Sequence, residues 1–212
     1  RSRAMDKGSK FGRQQQEETW HDAELDALRK LAAAGVRVPQ PYACVDGVLL
    51  MELVVDSEGV VAPRLSDVMM SAEEAVEGHA QVMRFVILML CAGLIHGDLS
   101  EFNILVAEKG PVIIDLPQVV DAAANNNAES MLERDVNKIT SYYGQFAPEL
   151  LTRQYAKEIW NLFEQSELRV DSKLTGMFTV NSEAADVDGV MREIESANEE
   201  ERSRQERLIE VL

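Results

Sequence analysis

The sequence predicts an α+β fold in two unequal parts, the remainder of a small β lobe followed by a mainly helical lobe. Three observations carry this expectation. Two apolar, β-branched runs flank Asp46-Gly47 near the start, and apolar residues recur at helical spacing through most of the chain after residue 70. Between them a polar loop, His96 to Asn103, is framed by short apolar strands.

Residues 1–19 are basic and polar, with Arg1, Arg3, Lys7, Lys10 and Arg13 and no apolar periodicity, so they are expected as a flexible segment. An Arg-rich start without an initiator methionine also suggests a chain that begins partway through a longer protein. Residues 20–55 make the rest of the small lobe. Trp20, Leu25, Leu28 and Leu31 share one helical face, and Gly35 stops the helix. Pro39 and Pro41 force an extended link. Tyr42 to Val45 and Val48 to Val54 then form a hairpin through Asp46-Gly47.

Residues 56–168 are expected as the helical lobe. Leu65 to Met70 and Ala72 to Ala92 read as helices, the second closing on Gly93. Ile104 to Val106 and Val112 to Ile114 read as two strands joined through Glu108-Lys109-Gly110. Ala128 to Phe146 and Pro148 to Gln165 read as further helices, with Pro148 at a helix start. Residues 169–212 form an acidic extension, and 187–212 read as a charged, solvated helix.

A formal charge of −16 excludes a general nucleic-acid binder, which needs clustered Lys and Arg. The longest apolar run, Phe85 to Leu94, is about half of a membrane span. Residues 1–13 carry no leader pattern, so a soluble, cytoplasmic protein is expected. Cys44 and Cys91 fit no metal or redox spacing and are expected as buried reduced thiols. His21 and His79 are expected as surface or packing residues, and Met69, Met70, Met83 and Met89 as core filler.

The chemistry lies in the polar loop. Asp98 and Asn103 stand five positions apart, and Asp115 follows a dozen residues later at the end of the apolar strand Val112-Ile113-Ile114. Each alone is commonly a cap or turn residue. Together they match what phosphoryl transfer asks of a protein: one carboxylate facing the acceptor, and oxygen ligands for metal ions that screen the phosphates. A hairpin between Asn103 and Asp115 would bring them to one edge.

The run His96-Gly97-Asp98-Leu99-Ser100-Glu101-Phe102-Asn103, followed by Ile114-Asp115-Leu116-Pro117-Gln118, resembles the RIO family of atypical serine/threonine protein kinases over residues 20–163. The resemblance implies a protein-kinase-like bilobal fold that binds ATP with Mg2+, for which Mn2+ can substitute. Asp98 would be the catalytic base, Asn103 and Asp115 the metal ligands, and His96 and Ser100 loop supports. Glu24 would pair with the phosphate-binding lysine. The adenine pocket would comprise the gatekeeper Met51, the backbone of Glu52 and Val54, Pro63 from the following segment, and a floor of Leu105 and Ile114. If the family's ATPase members are the guide, Asp115 is the aspartate that carries phosphate. A protein acceptor or a ribosome-assembly factor is the partner implied by analogy.

The chain departs from ordinary protein kinases at Gly97, where they carry Arg, and at Leu116-Pro117, where they carry Phe-Gly. Loss of that arginine implies no switching through a phosphorylated activation loop. The Gly-rich loop and phosphate-binding lysine are not identified; Gly8, Gly12, Lys7 and Lys10 lack flanking strands. Ala147-Pro148-Glu149 is read as a helix start and not as the end of an activation segment. Two other readings stay open: an aminoglycoside- or choline-type phosphotransferase, which shares His-Gly-Asp, and a non-catalytic nucleotide-binding scaffold.

Overall fold

Leu25, Leu28 and Leu31 do lie on one face of the first helix, α1 (24–33), and all three are buried. The computed structural model describes residues 24–45 and 48–178. The description concerns the unit that ends at Phe178. Trp20, Gly8, Gly12, the Asp46-Gly47 turn and the expected helix 187–212 lie outside the described residues.

Gly35 ends α1 with φ +88°, and the Val36 N–H returns to the Leu31 carbonyl at 3.0 Å. Val36 and Val38 then bury themselves before β1 (Pro41–Val45), which pairs antiparallel with β2 (Val48–Met51). The second strand stops at Met51 and does not reach Val54 as the apolar run suggested. Glu52 ties back to the linker, its N–H to the Gln40 carbonyl (2.8 Å) and its carboxylate to Arg37 (2.5 and 2.9 Å). Arg37 accordingly draws the Glu52 carboxyl below its ordinary range. Val54 turns to a new partner, accepting from Ala62 N–H at 3.0 Å.

Leu65–Asp67 forms a single 3-10 turn, not a helix to Met70. The Tyr142 hydroxyl donates to the Leu65 carbonyl (2.5 Å), and that oxygen takes the Val68 N–H at 3.2 Å, so the tighter turn replaces an α-turn. Helix α2 (Ala72–Cys91) starts with a capping box: Ser71 Oγ accepts from Glu74 N–H (3.2 Å), and the Glu74 carboxylate accepts from Ser71 N–H (2.7 Å). It ends at Gly93, φ +76°.

Beyond it come β3 (Leu94–Ile95), a 3-10 turn (Glu101–Asn103), β4 (Ile104–Ala107), β5 (Gly110–Ile113) and β6 (Val120–Asp121). Strand β3 pairs with β6, and β4 with β5, both antiparallel. Helix α3 (Ala128–Tyr143) follows. The expected helix Pro148 to Gln165 is split into a 3-10 turn (Pro148–Thr152) and α4 (Tyr155–Glu164). Arg153 is extended (φ −105°, ψ 152°), and Gln154 N–H goes to the Gly176 carbonyl (2.8 Å), a partner far along the chain.

The core joins α2, α3, α4 and the strands through Val82, Leu99, Ile104, Ile113, Val136, Ile139 and Ile159. His79 belongs to it: Nε2 meets Thr140 Oγ1 at 3.0 Å, the ring packs on Tyr143 and Tyr155, and burial pushes its pKa down to about 4. Three sequence expectations fail here. Cys44 is only half-buried on the two-stranded hairpin, Cys91 is exposed at the last position of α2, and Met69 is 86% exposed, because its turn is too short to fold it inward. Among the described residues no helix is long and apolar enough to cross a membrane.

Candidate active site

The polar loop runs from β3 to β4 and is held from within by His96. That ring is buried; Nε2 donates to the Ile114 carbonyl (3.1 Å), and Nδ1 accepts the Asp98 N–H (3.3 Å). The two bonds require the neutral tautomer protonated on Nε2, and burial lowers the His96 pKa in the same sense. Ser100, also buried, precedes the 3-10 turn, and its carbonyl accepts Asn103 N–H at 3.0 Å. Both expected loop supports are therefore interior residues of the loop.

Asn103 and Asp115 come to one edge. The Ile104↔Ile113 pairing extends one residue further, through Ile114 N–H to the Asn103 carbonyl (3.0 Å), so Asp115 leaves the hairpin beside Asn103. Asn103 Nδ2 donates to the Asp98 carbonyl (2.9 Å), which leaves Oδ1 as its acceptor. Asp115 sits at φ +66°, a left-handed conformation uncommon outside glycine and frequent where function demands it. Two hard side-chain oxygens make a sparse donor set of the kind Mg2+ accepts when phosphate oxygens complete its shell.

Three residues on α3 complete the loop, and sequence reasoning had assigned none of them a role. The carboxylate of Asp135, 2% exposed, accepts Gly97 N–H (2.8 Å) and Leu99 N–H (3.1 Å). Burial raises its pKa to about 6 against the pull of those two donors. Arg134 donates to the Gly97 carbonyl. Lys138 Nζ pairs with Asp98 Oδ1 at 2.9 Å and holds the Asp98 carboxyl below its usual range. The available signal was a charged residue among Leu132, Val136 and Ile139 on the buried face of α3.

Gly97 has a steric reason to be glycine. Its φ is +85°, and a Cβ there would stand 2.5 Å from the Gln118 carbonyl oxygen and 2.9 Å from Met131 Cε. Gly97→Ala is expected to cost on the order of 1–3 kcal/mol of stability, read by denaturant unfolding.

The expected nucleotide residues fall into two groups. Val54 packs with Ala62 and Val112 against Leu105, Arg64 bridges to Leu105, and the Pro63 carbonyl accepts Val106 N–H (2.9 Å). Val54, Pro63 and Leu105 therefore converge, with Ile114 one strand away on the Asn103 side. Met51 ends β2, Glu52 follows it, and the Glu52 side chain is committed to Arg37. Glu24 lines a cavity of about 230 Å3 with Leu116 and Pro117, which puts it beside the Asp115 turn.

Residues 1–156 match the RIO domain family. The RIO-type serine/threonine-protein kinase Rio1 of Haloferax volcanii is 39% identical over 127 residues, which cover 58% of this chain and 41% of that protein. Human serine/threonine-protein kinase RIO1 is 30% identical over 135 residues, covering 63% of this chain and 23% of the relative. The chain spans less than half the length of these curated relatives. Among solved structures, the Rio2 kinase–ADP/Mg2+-phosphoaspartate complex from Chaetomium thermophilum matches with a TM-score of 0.55 at 23% identity, covering 85% of this chain and 55% of that one. The α+β fold is thus protein-kinase-like.

Proposed function

The chain belongs to the RIO domain family, and on that premise we propose that it transfers the γ-phosphoryl group of ATP, as a serine/threonine protein kinase, an ATPase or both. The observation that supports this best is the convergence of Asp98, Asn103 and Asp115 from one loop and one hairpin, with the Asn103 amide nitrogen tied to Asp98 and its oxygen left for a ligand.

In this reading Asp98 accepts the proton of the attacking hydroxyl or water, and Asn103 and Asp115 hold Mg2+. The ion would supply charge neutralisation for the phosphates. His96, Asp135 and Arg134 keep the loop in the conformation that presents Asp98. Val54, Pro63 and Leu105 offer an apolar face to the adenine, with Met51, Glu52 and Ile114 at its margins. The short path from Asp115 to the start of α3 at Ala128 leaves little chain for docking a peptide, which fits a water or a compact acceptor as well as a protein. If water is the final acceptor, Asp115 is the carboxylate placed to carry phosphate on the way.

Incubating the full-length protein with Mg2+ and γ-labelled ATP tests the proposal. ADP formation is expected, with label on protein for a kinase, as free phosphate for an ATPase. Label appearing only on an amino sugar or amino alcohol would point to the small-molecule phosphotransferases. Nucleotide binding without any ADP formation would point to a scaffold.

A further inference from the structure

Of the three α3 residues at the loop, Arg134 is committed to the Gly97 carbonyl and Asp135 to two backbone N–H groups. Lys138 differs. Its ammonium contacts a functional side chain, Asp98 Oδ1 at 2.9 Å, while Asp98 Oδ2 has no hydrogen-bond partner among the described residues. The pair is open to solvent, with side chains 39% and 41% exposed, so a ligand approaching Asp98 also meets Lys138.

Stability gives a poor account of this arrangement. An ion pair so exposed contributes about 0–1 kcal/mol. A cation at that carboxylate also weakens it as a base, so its presence there has a cost to proton transfer alone. The cost is offset if the same cation faces negative charge that develops next to Asp98.

An acceptor oxygen within hydrogen-bond reach of Oδ2 would bring the transferring phosphorus to within about 5–6 Å of Nζ, a distance the flexible lysine stem spans. We propose that Lys138 is a further catalytic residue of the phosphoryl transfer, its ammonium donating to an oxygen of the migrating phosphoryl group; this rests on the kinase or ATPase reading above.

In that step the acceptor oxygen bonds to the γ-phosphorus, and the bond from that phosphorus to the β,γ-bridging oxygen breaks. ADP leaves with the electron pair, and the acceptor proton passes to Asp98 Oδ2. The equatorial oxygens carry the charge in transit. Lys138 meets it from the α3 side.

The test compares the full-length protein with Lys138→Met and Lys138→Arg, by steady-state turnover and by binding of ADP alone and of Mg2+–ADP with tetrafluoroaluminate. Lys138→Met is expected to lower kcat about 10²–10³-fold and to weaken the aluminofluoride complex by a similar factor. KM for ATP, ADP affinity and the unfolding midpoint should hold, and Lys138→Arg should restore most of the turnover. A kcat for Lys138→Met within about threefold of the unsubstituted protein would overturn the assignment. So would an equal loss of affinity for ADP alone, which would mark a structural role. If the unsubstituted protein neither binds nor turns over ATP, the kinase reading fails first and takes the Lys138 role with it.

Discussion

Asp135→Ala should unfold far more readily than the native chain, by about 2–5 kcal/mol, and should lose turnover altogether. The carboxylate accepts two N–H groups from buried backbone on either side of Asp98, and no other acceptor is supplied when it goes. Each orphaned donor costs about 1–3 kcal/mol, a large share of the 5–15 kcal/mol that holds a domain folded. Asp135→Asn keeps one acceptor oxygen and should lose roughly half as much. Urea unfolding of the three proteins measures this, and circular dichroism establishes that the variants still fold.

The same residue has a pH signature. Its pKa rises from the ordinary aspartate range to about 6 on folding, so the folded chain binds the extra proton more tightly. The proton-linked part of its contribution to stability is therefore complete at low pH and is lost as pH rises through about 6, while the two N–H bonds to the carboxylate remain. Replacement by Asn should flatten the stability profile across that window. Equal slopes for the native and Asn proteins would contradict it.

The loop motif was legible because its chemistry is local. Asp98, Asn103 and Asp115 lie within eighteen positions, and the apolar strands between them announce the hairpin that joins them. Helices α1 and α2 were legible for similar reasons, since Gly35 and Gly93 mark their ends. What escaped depends on partners distant in sequence. Asp135 meets Gly97 across 38 positions, and the split between Pro148–Thr152 and α4 hinges on Gln154 finding Gly176. Likewise β2 stops where Glu52 meets Arg37, a pairing invisible to strand propensity. Periodicity finds the buried face of α3 but does not say that an aspartate within it holds a loop.

Asp98→Ala and Asp115→Ala should lose activity while keeping the fold, through different steps. The Asp98 carboxylate bonds to Lys138 and to neither proposed metal ligand, and Asn103 is held by the Asp98 backbone carbonyl, so removing the side chain should leave ATP affinity intact. Turnover should fall about 10²–10⁴-fold for want of a proton acceptor. Asp115 supplies one of two hard oxygens at the hairpin edge, so its removal should abolish the Mg2+ dependence of nucleotide binding and turnover together. Neither change should alter the fold much, since Asp98 is partly exposed and Asp115 lies past the end of β5.

The most direct measurement is Mg2+-dependent ADP release from ATP by the full-length protein beside Asp98→Ala and Asp115→Ala, all three at matched stability. Turnover by the native protein that collapses in both variants is the predicted result. Native turnover that persists unchanged in both would contradict the assignment of this loop and hairpin as the active site.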